Sequence, residues 1–156
     1  MEILLSNHQD LPVDGDGLRA LAAVVLEKED MPSSTEVGIM LVTDDDMAVH
    51  NQRFLGREGP TDVLALPLAP RGVGHQESAA RSGAGVPYAL GDVIIAPGYV
   101  EDQARRLGTA YEDEMALMVT HGLLHLIGYD HESDSEAEQM ESRERHLLAA
   151  IGMERR

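Results

Sequence analysis

The chain has 156 residues, enough for one domain with a substantial core. It contains no Cys, so disulfides and thiolate metal sites are excluded, and any metal must be held by His or carboxylate groups. Its formal net charge of −16 excludes a general nucleic-acid-binding surface, which needs a surplus of Lys and Arg, but it leaves room for a local basic groove. No N-terminal leader pattern and no run of about 18 apolar residues are present, so we expect a cytoplasmic protein without a membrane partner.

Apolar spacing divides the first part of the chain into strand, helix, strand and helix. The predicted elements are a strand at 2–6, a helix from its N-cap Asp16 to the Met31-Pro32 break, a strand at 37–41 and a helix ended by Gly59-Pro60. Residues 43–46 supply the cap and the first-turn acids of the second helix. Its expected inner face consists of Met47, Asn51, Phe54 and Leu55.

The second part of the chain predicts two strands and three helices around a long loop. The predicted elements are a strand at 63–68, a flexible loop at 69–87, a strand from Val93 antiparallel to the previous one, and helices from Pro97 to about Leu107, at 111–127, and from about Ser135 to Ile151. Ser135 and Glu138 form an expected capping box, and Gly152 closes the last helix. The order of elements indicates one α+β domain over 1–156, built on a small mixed four-stranded sheet with about five helices.

The helix at 111–127 carries the chemically informative residues. It is apolar nearly all round from Met115 to Ile127, which is typical of a central buried helix. His121 and His125 are four residues apart and therefore project from one face of this helix. Gly128 can end the helix in a left-handed conformation and return the chain, which brings His131 in as a third ligand. Three protein ligands leave a position open, as in catalytic zinc sites.

The same histidine spacing occurs in a known metalloprotease pattern, but the general base of that pattern is absent here. The residue after the first histidine is Glu in those proteases, whereas this chain has Gly122. Asp130 lies beside the third histidine, where it could orient a ligand or simply be a solvated turn residue. The motif therefore predicts a metal site without the usual peptidase base.

A second polar group stands at the start of the third strand. Thr61 and Asp62 could hydrogen-bond the backbone, bind a substrate oxygen or support a ligand. Arg53 and Arg57 flank the same turn and could contact a phosphate, although arginines at helix ends are usually solvated charges. These four residues are the candidate substrate-binding and catalytic groups outside the histidine motif.

Three motifs in the expected order resemble the YbeY family of endoribonucleases, which act as rRNA maturation factors. They are Gly-Pro-Thr-Asp-Val-Leu at 59–64, Leu-Gly-Asp-Val at 90–93, and the histidine segment at 121–131, and the resemblance covers about residues 35–151. It implies one Zn²⁺ ion held by His121, His125 and His131 in a metal-dependent hydrolase. It also implies cleavage of single-stranded RNA in rRNA 3′-end maturation and ribosome quality control, with the ribosome or its small subunit as partner and no DNA substrate.

Two positions depart from the family pattern. Many members have Arg where this chain has Leu55, so Arg53 or Arg57 would have to meet the phosphate, with Asp130 as a further candidate catalytic residue. The family often has Ser-Phe before Pro67, where this chain has Ala65-Leu66, which we interpret as a packing change.

Two further functions compete with the nuclease. One is a ribosome-assembly adaptor with a structural zinc site and little nuclease activity, which the acidic balance and Leu55 favour, whereas the open three-ligand site favours an enzyme. The other is a metallopeptidase, which needs a carboxylate near the metal. Glu114 is the nearest acid on the same helix stripe, but it lies two turns before His121 with its side chain directed further back.

Overall fold

The computed structural model describes residues 1–68, 86–153 and 155. Within these ranges the chain forms four strands and five helices, in the order βαβαββααα. The strands are β1 (Glu2–Asn7), β2 (Thr35–Leu41), β3 (Val63–Pro67) and β4 (Tyr88–Ile95), and the helices are α1 (Gly15–Lys28), α2 (Asp44–Leu55), α3 (Pro97–Leu107), α4 (Tyr111–Ile127) and α5 (Asp134–Ala149). The flexible loop predicted at 69–87 lies, apart from its last two residues, outside the described residues.

The four strands form one mixed sheet in the order β1-β2-β4-β3. β1, β2 and β4 are parallel, whereas β3 runs antiparallel to β4, with Val63 paired to Ile95 and Pro67 to Gly91. This arrangement confirms the predicted α+β class and the predicted pairing of the third and fourth strands. It also places the start of β3 beside the end of β4, where the candidate site lies.

Helix α4 is the central helix, as its composition predicted. It packs against β3, β4, α1, α3 and α5, and nearly every residue from Glu114 to Leu126 is buried. Gly122 lies at its closest approach to the sheet, because a Cβ there would stand 2.6 Å from Val93 Cγ1. A helix fixed on all sides in this way holds His121 and His125 in a defined position.

The N-termini of two helices differ from the prediction by two residues each. Asp14, not Asp16, caps α1 by accepting from the Gly17 amide, and Ser133, not Ser135, caps α5 by accepting from the Glu136 amide. Each chain segment offers two suitable caps in succession, and the apolar spacing fixes the helix face rather than its first residue. Asp16 lies instead in the first turn, where its charge is favourable.

The C-terminal end of α2 was predicted wrongly. The helix ends at Leu55 because Gly56 takes the left-handed conformation at φ 66°, before the expected stop at Gly59-Pro60. Met47 and Asn51 are buried as expected, but Phe54 and Leu55 are about half exposed. Phe54 stacks on His50 at the surface, since the last turn of α2 extends beyond the core.

The fourth strand begins five residues earlier than the apolar run from Val93 indicated. Its first half contains Gly91, whose φ of 140° accompanies a shift in pairing with β2. A Cβ at this position would stand 2.4 Å from the Leu66 carbonyl oxygen, so the strand needs glycine here.

Within the described ranges, no helix combines the length and apolarity needed to cross a bilayer.

Candidate metal centre

Three histidines converge at the C-terminal end of α4. His121 and His125 lie one turn apart, and their Nε2 atoms are 3.1 Å from each other. The helix ends at Gly128, whose φ of 125° allows the chain to turn back toward the same point with His131. One ring nitrogen from each histidine lies within 4.8 Å of the others. The structure therefore brings together the three residues that the motif predicted as a metal-binding group.

The donor set and its spacing fit a single metal ion. Nitrogen ligands about 2.0–2.1 Å from a tetrahedral zinc ion stand about 3.3 Å apart, which is close to the 3.1 Å between His121 Nε2 and His125 Nε2. His121 and His125 are half-buried, while His131 is exposed. The helix that carries His121 and His125 thus holds two of the ligands in place, and the group is accessible to solvent on the side of His131.

A carboxylate of α5 supports this group from behind. Glu144 is only 1% exposed, and its Oε2 lies 3.1 Å from His121 Nδ1. This contact places Nδ1 toward the carboxylate and leaves Nε2 facing the other histidines. Carboxylates commonly hold metal-binding imidazoles in this way.

The sequence analysis missed Glu144, although a signal for it exists. Glu144 lies four residues after Met140 and three before Leu147, both on the buried face of α5. An acid on the apolar face of a helix must have a buried partner. The partner, however, is 23 residues away in the chain and could not be named from spacing alone.

The histidines line an open cleft with a volume of about 400 Å³. Its walls come from the turn between α2 and β3, from β3 itself, from α4 and α5, and from Arg155, which follows α5. Leu55, at the place of the family arginine, lies on this wall, and Arg57 lies on it as well. The cleft is therefore acidic and imidazole-rich at its base, with guanidinium groups around it.

Thr61 and Asp62 line the cleft at the start of β3, as the candidate substrate-binding residues. The Asp62 carboxylate accepts hydrogen bonds from the Val63 amide at 2.8 Å and from the Thr61 hydroxyl at 3.2 Å. Asn51 fixes the preceding turn by donating from Nδ2 to the Gly59 carbonyl at 2.9 Å. These local bonds give the wall of the cleft a defined shape.

The structure does not bring Arg53 and Asp130 into the cleft. Arg53 is exposed on α2 with its guanidinium 5.7 Å from the centre of the Phe54 ring. The Asp130 carboxylate accepts from the backbone amide of the next residue, His131, at 2.8 Å, and Asp130 is not among the residues that line the cleft. Of the three residues that we expected to be catalytic, only Arg57 lines the cleft.

The turn that carries His131 is tied to α1 and α5. The Tyr129 hydroxyl donates to Glu29 Oε2 at 3.1 Å, and Arg143 donates through Nε to the other Glu29 oxygen. Burial and the nearby Glu29 charge raise the pKa of Tyr129 above its usual value. The hydrogen bond to Glu29 raises the pKa of Arg143, so its guanidinium stays charged.

The structure provides no general base for a peptidase at Gly122 or Glu114, the two positions considered for one. Gly122 faces the sheet against Val93, so its place cannot hold a glutamate directed at the histidines. Glu114 is buried and accepts from the Thr109 hydroxyl at 3.0 Å, away from the residues that line the cleft. This geometry argues against the metallopeptidase hypothesis.

Comparisons with known proteins agree with the motifs. The family described as Endoribonuclease YbeY matches residues 5–152. Curated proteins named Endoribonuclease YbeY from Salinispora tropica and Bacillus subtilis are each 35% identical, covering 96% and 83% of this chain and 96% and 80% of their own lengths. A solution structure from Thermotoga maritima superimposes with a TM-score of 0.59 at 27% identity, covering 96% of this chain and 91% of the other. The chain belongs to the YbeY family of endoribonucleases.

Proposed function

We propose that this chain is a metal-dependent endoribonuclease that cleaves single-stranded RNA in rRNA 3′-end maturation and ribosome quality control. His121, His125 and His131 hold one zinc ion, in a single cytoplasmic hydrolase domain spanning residues 1–156. The observation that carries the proposal is the convergence of three imidazole nitrogens within 4.8 Å at the base of an accessible cleft. A zinc ion bound there would supply Lewis-acid polarisation of a phosphodiester.

Other residues of the cleft orient the metal ligands or bind the RNA backbone. Glu144 orients His121, and the packed helix α4 keeps His121 and His125 in place without substrate. Arg57 is exposed on the cleft wall and is the guanidinium available to a backbone phosphate. Thr61 and Asp62 shape the wall that a ribose-phosphate backbone would follow.

The proposed substrate is recognised by its backbone rather than by its bases. The chain has one Phe, four Tyr and no Trp, and none of these side chains lines the cleft. Base stacking on aromatic side chains supplies much of the affinity for single strands, so we expect this cleft to bind RNA through its sugar-phosphate backbone, with little sequence readout by this chain alone. A protein or ribosomal partner would then select the site of cleavage.

The test compares the unaltered protein with His121→Ala and His131→Ala. Elemental analysis should find about one equivalent of zinc in the unaltered protein and little in either variant, and cleavage of a labelled single-stranded RNA should be lost. His146→Ala serves as the control, because His146 is exposed on α5 and does not line the cleft. Duplex RNA and single-stranded DNA should remain uncut.

The same experiment distinguishes the adaptor hypothesis, which the acidic charge and Leu55 favour. A structural zinc would be needed for folding, so its removal would lower the unfolding temperature sharply. If the unaltered, zinc-loaded protein never cleaves RNA and the metal-free protein unfolds, the nuclease proposal is wrong and the adaptor replaces it.

A further inference from the structure

The C-terminal segment returns to the candidate metal centre after α5. Gly152 adopts a φ of 80°, and the Met153 amide donates to the Leu148 carbonyl at 2.9 Å, while the Met153 side chain packs against the core. Two residues later, Arg155 lines the cleft with a side chain that is only 15% exposed. The contacts of Met153 thus hold the segment so that the Arg155 guanidinium lies in the same cleft as the three histidines.

Arg155 is directed at the carboxylate that supports His121. Its Nε lies 3.3 Å from Glu144 Oε1, and its Nη2 lies 3.5 Å from Glu141 Oε1. The other oxygen of Glu144, Oε2, faces His121 Nδ1 at 3.1 Å. Arg155, Glu144 and His121 therefore form a continuous row of contacts, here called the positioning row, that ends at the histidine group.

The buried carboxylate in the middle of this row needs both neighbours. A carboxylate that is 1% exposed is costly unless its oxygens are paired. A neutral imidazole can carry its proton on either nitrogen, and the group that accepts from Nδ1 selects the form in which Nε2 has the free lone pair. The orientation of Glu144 thus decides which nitrogen His121 presents to the other two histidines.

We propose that Arg155 is a positioning residue of the metal centre, which acts on His121 through Glu144. This inference rests on the proposed function in taking His121 as a metal ligand. Arg155 fixes Oε1, so that Oε2 stays aligned with His121 Nδ1 and the ring presents Nε2 to the metal. The C-terminal segment, which follows the last helix, is accordingly part of the active site.

A direct phosphate contact is the competing role for Arg155. Both of its described ion pairs are directed at carboxylates of α5. Arg57, in contrast, is exposed where it lines the cleft, and it follows the last turn of α2. The geometry therefore assigns substrate phosphate to Arg57 and ligand positioning to Arg155, and the two roles differ in what a substitution would change.

The experiment uses Arg155→Gln and Arg155→Lys in the full chain, with Arg145→Gln as the control on the exposed face of α5. Nitrogen-15 NMR of the histidine side chains in metal-free protein reports the tautomer of His121. Zinc affinity is measured by competition with a chelator, and kcat and KM are measured on a single-stranded RNA. Thermal unfolding checks that each variant is folded.

In Arg155→Gln we expect a smaller Nδ1–H population at His121 and a loss of zinc affinity of up to about tenfold. Direct outer partners of metal ligands contribute about 10- to 100-fold, and Arg155 acts one contact further out, through Glu144. KM should stay within twofold, and Arg155→Lys should restore part of the affinity. An unchanged tautomer and zinc affinity would overturn the inference, and a raised KM in that case would identify Arg155 as a phosphate contact. If the unaltered protein proves inactive, the proposed function fails, yet the tautomer still decides the role of Arg155.

Discussion

The two sides of the cleft differ in how firmly the fold holds them. On the side of α4, His121 and His125 stand on a helix packed on all sides, with the buried Glu144 behind them. On the side of the α2–β3 turn, residues 52–60 are all exposed. The hydrogen bond from Asn51 Nδ2 to the Gly59 carbonyl connects this turn to α2. The histidine side of the cleft therefore has little freedom to change its conformation, whereas the exposed turn can adjust its conformation to a substrate.

This difference matches two different tasks. A metal site needs its ligands within a fraction of an ångström before the ion arrives, which a buried helix provides. A backbone-binding wall must accept many sequences and release its product, which an exposed turn with arginine permits. We therefore expect substitutions on the α4 side to alter metal binding or stability, and substitutions on the turn side to alter substrate binding.

The largest effect is expected from Glu144→Ala. The change removes the acceptor for His121 Nδ1 and leaves Arg155 without its buried partner, so zinc affinity should fall about 10- to 100-fold. Isothermal titration with zinc measures this loss. Glu138→Ala, an exposed acid of the same helix, should bind zinc like the unaltered protein. Equal affinities in the two variants would show that the buried carboxylate does not support the ligand.

The next effect should come from Gly122→Ala, which tests the tight packing of α4. The new methyl would stand 2.6 Å from Val93 Cγ1, and Val93 is a buried, β-branched residue of a central strand with little freedom to move. Overpacking costs about 1–3 kcal/mol, and the gain in helix propensity returns up to about 1 kcal/mol, so the free energy of unfolding should fall by about 1–2 kcal/mol.

Urea unfolding measures this change, with Gly15→Ala as the matched control. A Cβ at Gly15, in the first turn of α1, would meet side-chain atoms no closer than 3.7 Å. That variant should be as stable as the unaltered protein or slightly more so. A stabilised Gly122→Ala would mean that α4 can shift on the sheet, and the contrast between the two sides of the cleft would weaken.

The same contrast explains what the sequence could and could not predict. His121, His125 and His131 lie within eleven consecutive residues, where helix periodicity and one glycine fix their geometry, so the group was found by spacing. The class of fold followed in the same way from the order of elements. Glu144 and Arg155 join the group only through tertiary packing of α5 and the segment after it, over separations of 23 and 34 residues, which no local pattern encodes.

The errors in the last turn of α2 have a related cause. Phe54 and Leu55 continue the apolar spacing of Met47 and Asn51, so periodicity alone placed them in the core. The helix, however, extends past the core there, and Gly56 ends it in the left-handed conformation. Local spacing gives the phase of a helix, but the tertiary structure decides how much of each face is covered.

A smaller effect, confined to substrate binding, is expected from Arg57→Ala. Loss of one exposed guanidinium from the cleft should raise KM for single-stranded RNA about three- to tenfold, with stability changed by less than about 0.5 kcal/mol. The dependence of binding on salt should also weaken, by about 0.7 in the slope of log affinity against log salt. Steady-state cleavage kinetics measures KM, and filter binding at several salt concentrations measures the slope.

Arg53→Ala is the matched control for that measurement. Arg53 is also an exposed arginine, four residues before Arg57, but it contacts Phe54 and does not line the cleft. Its variant should keep both KM and the salt slope of the unaltered protein. If Arg53→Ala weakens RNA binding as much as Arg57→Ala, the turn acts as a diffuse basic surface rather than through one positioned guanidinium.

The smallest effect should come from Tyr111→Phe, at the end of α4 remote from the histidines. The Tyr111 hydroxyl donates to the Pro12 carbonyl at 3.2 Å, and because this bond is exposed its loss should cost only about 0.5 kcal/mol of unfolding free energy near neutral pH. Burial first, and then the charges of Glu101 and Glu112, raise the pKa of Tyr111 above 10.0 in the folded chain. The folded state therefore favours the neutral phenol.

That stabilisation is fully present below the pKa of unfolded tyrosine and is lost as the pH rises through the folded value. The stability difference between the unaltered protein and Tyr111→Phe should consequently shrink above about pH 10, the ordinary range of tyrosine titration. Denaturant unfolding at neutral and alkaline pH measures the trend, and at neutral pH the zinc affinity of Tyr111→Phe should equal that of the unaltered protein. A change in zinc affinity would mean that strain at one end of α4 reaches the histidines at the other, so that the helix is less rigid than its packing indicates.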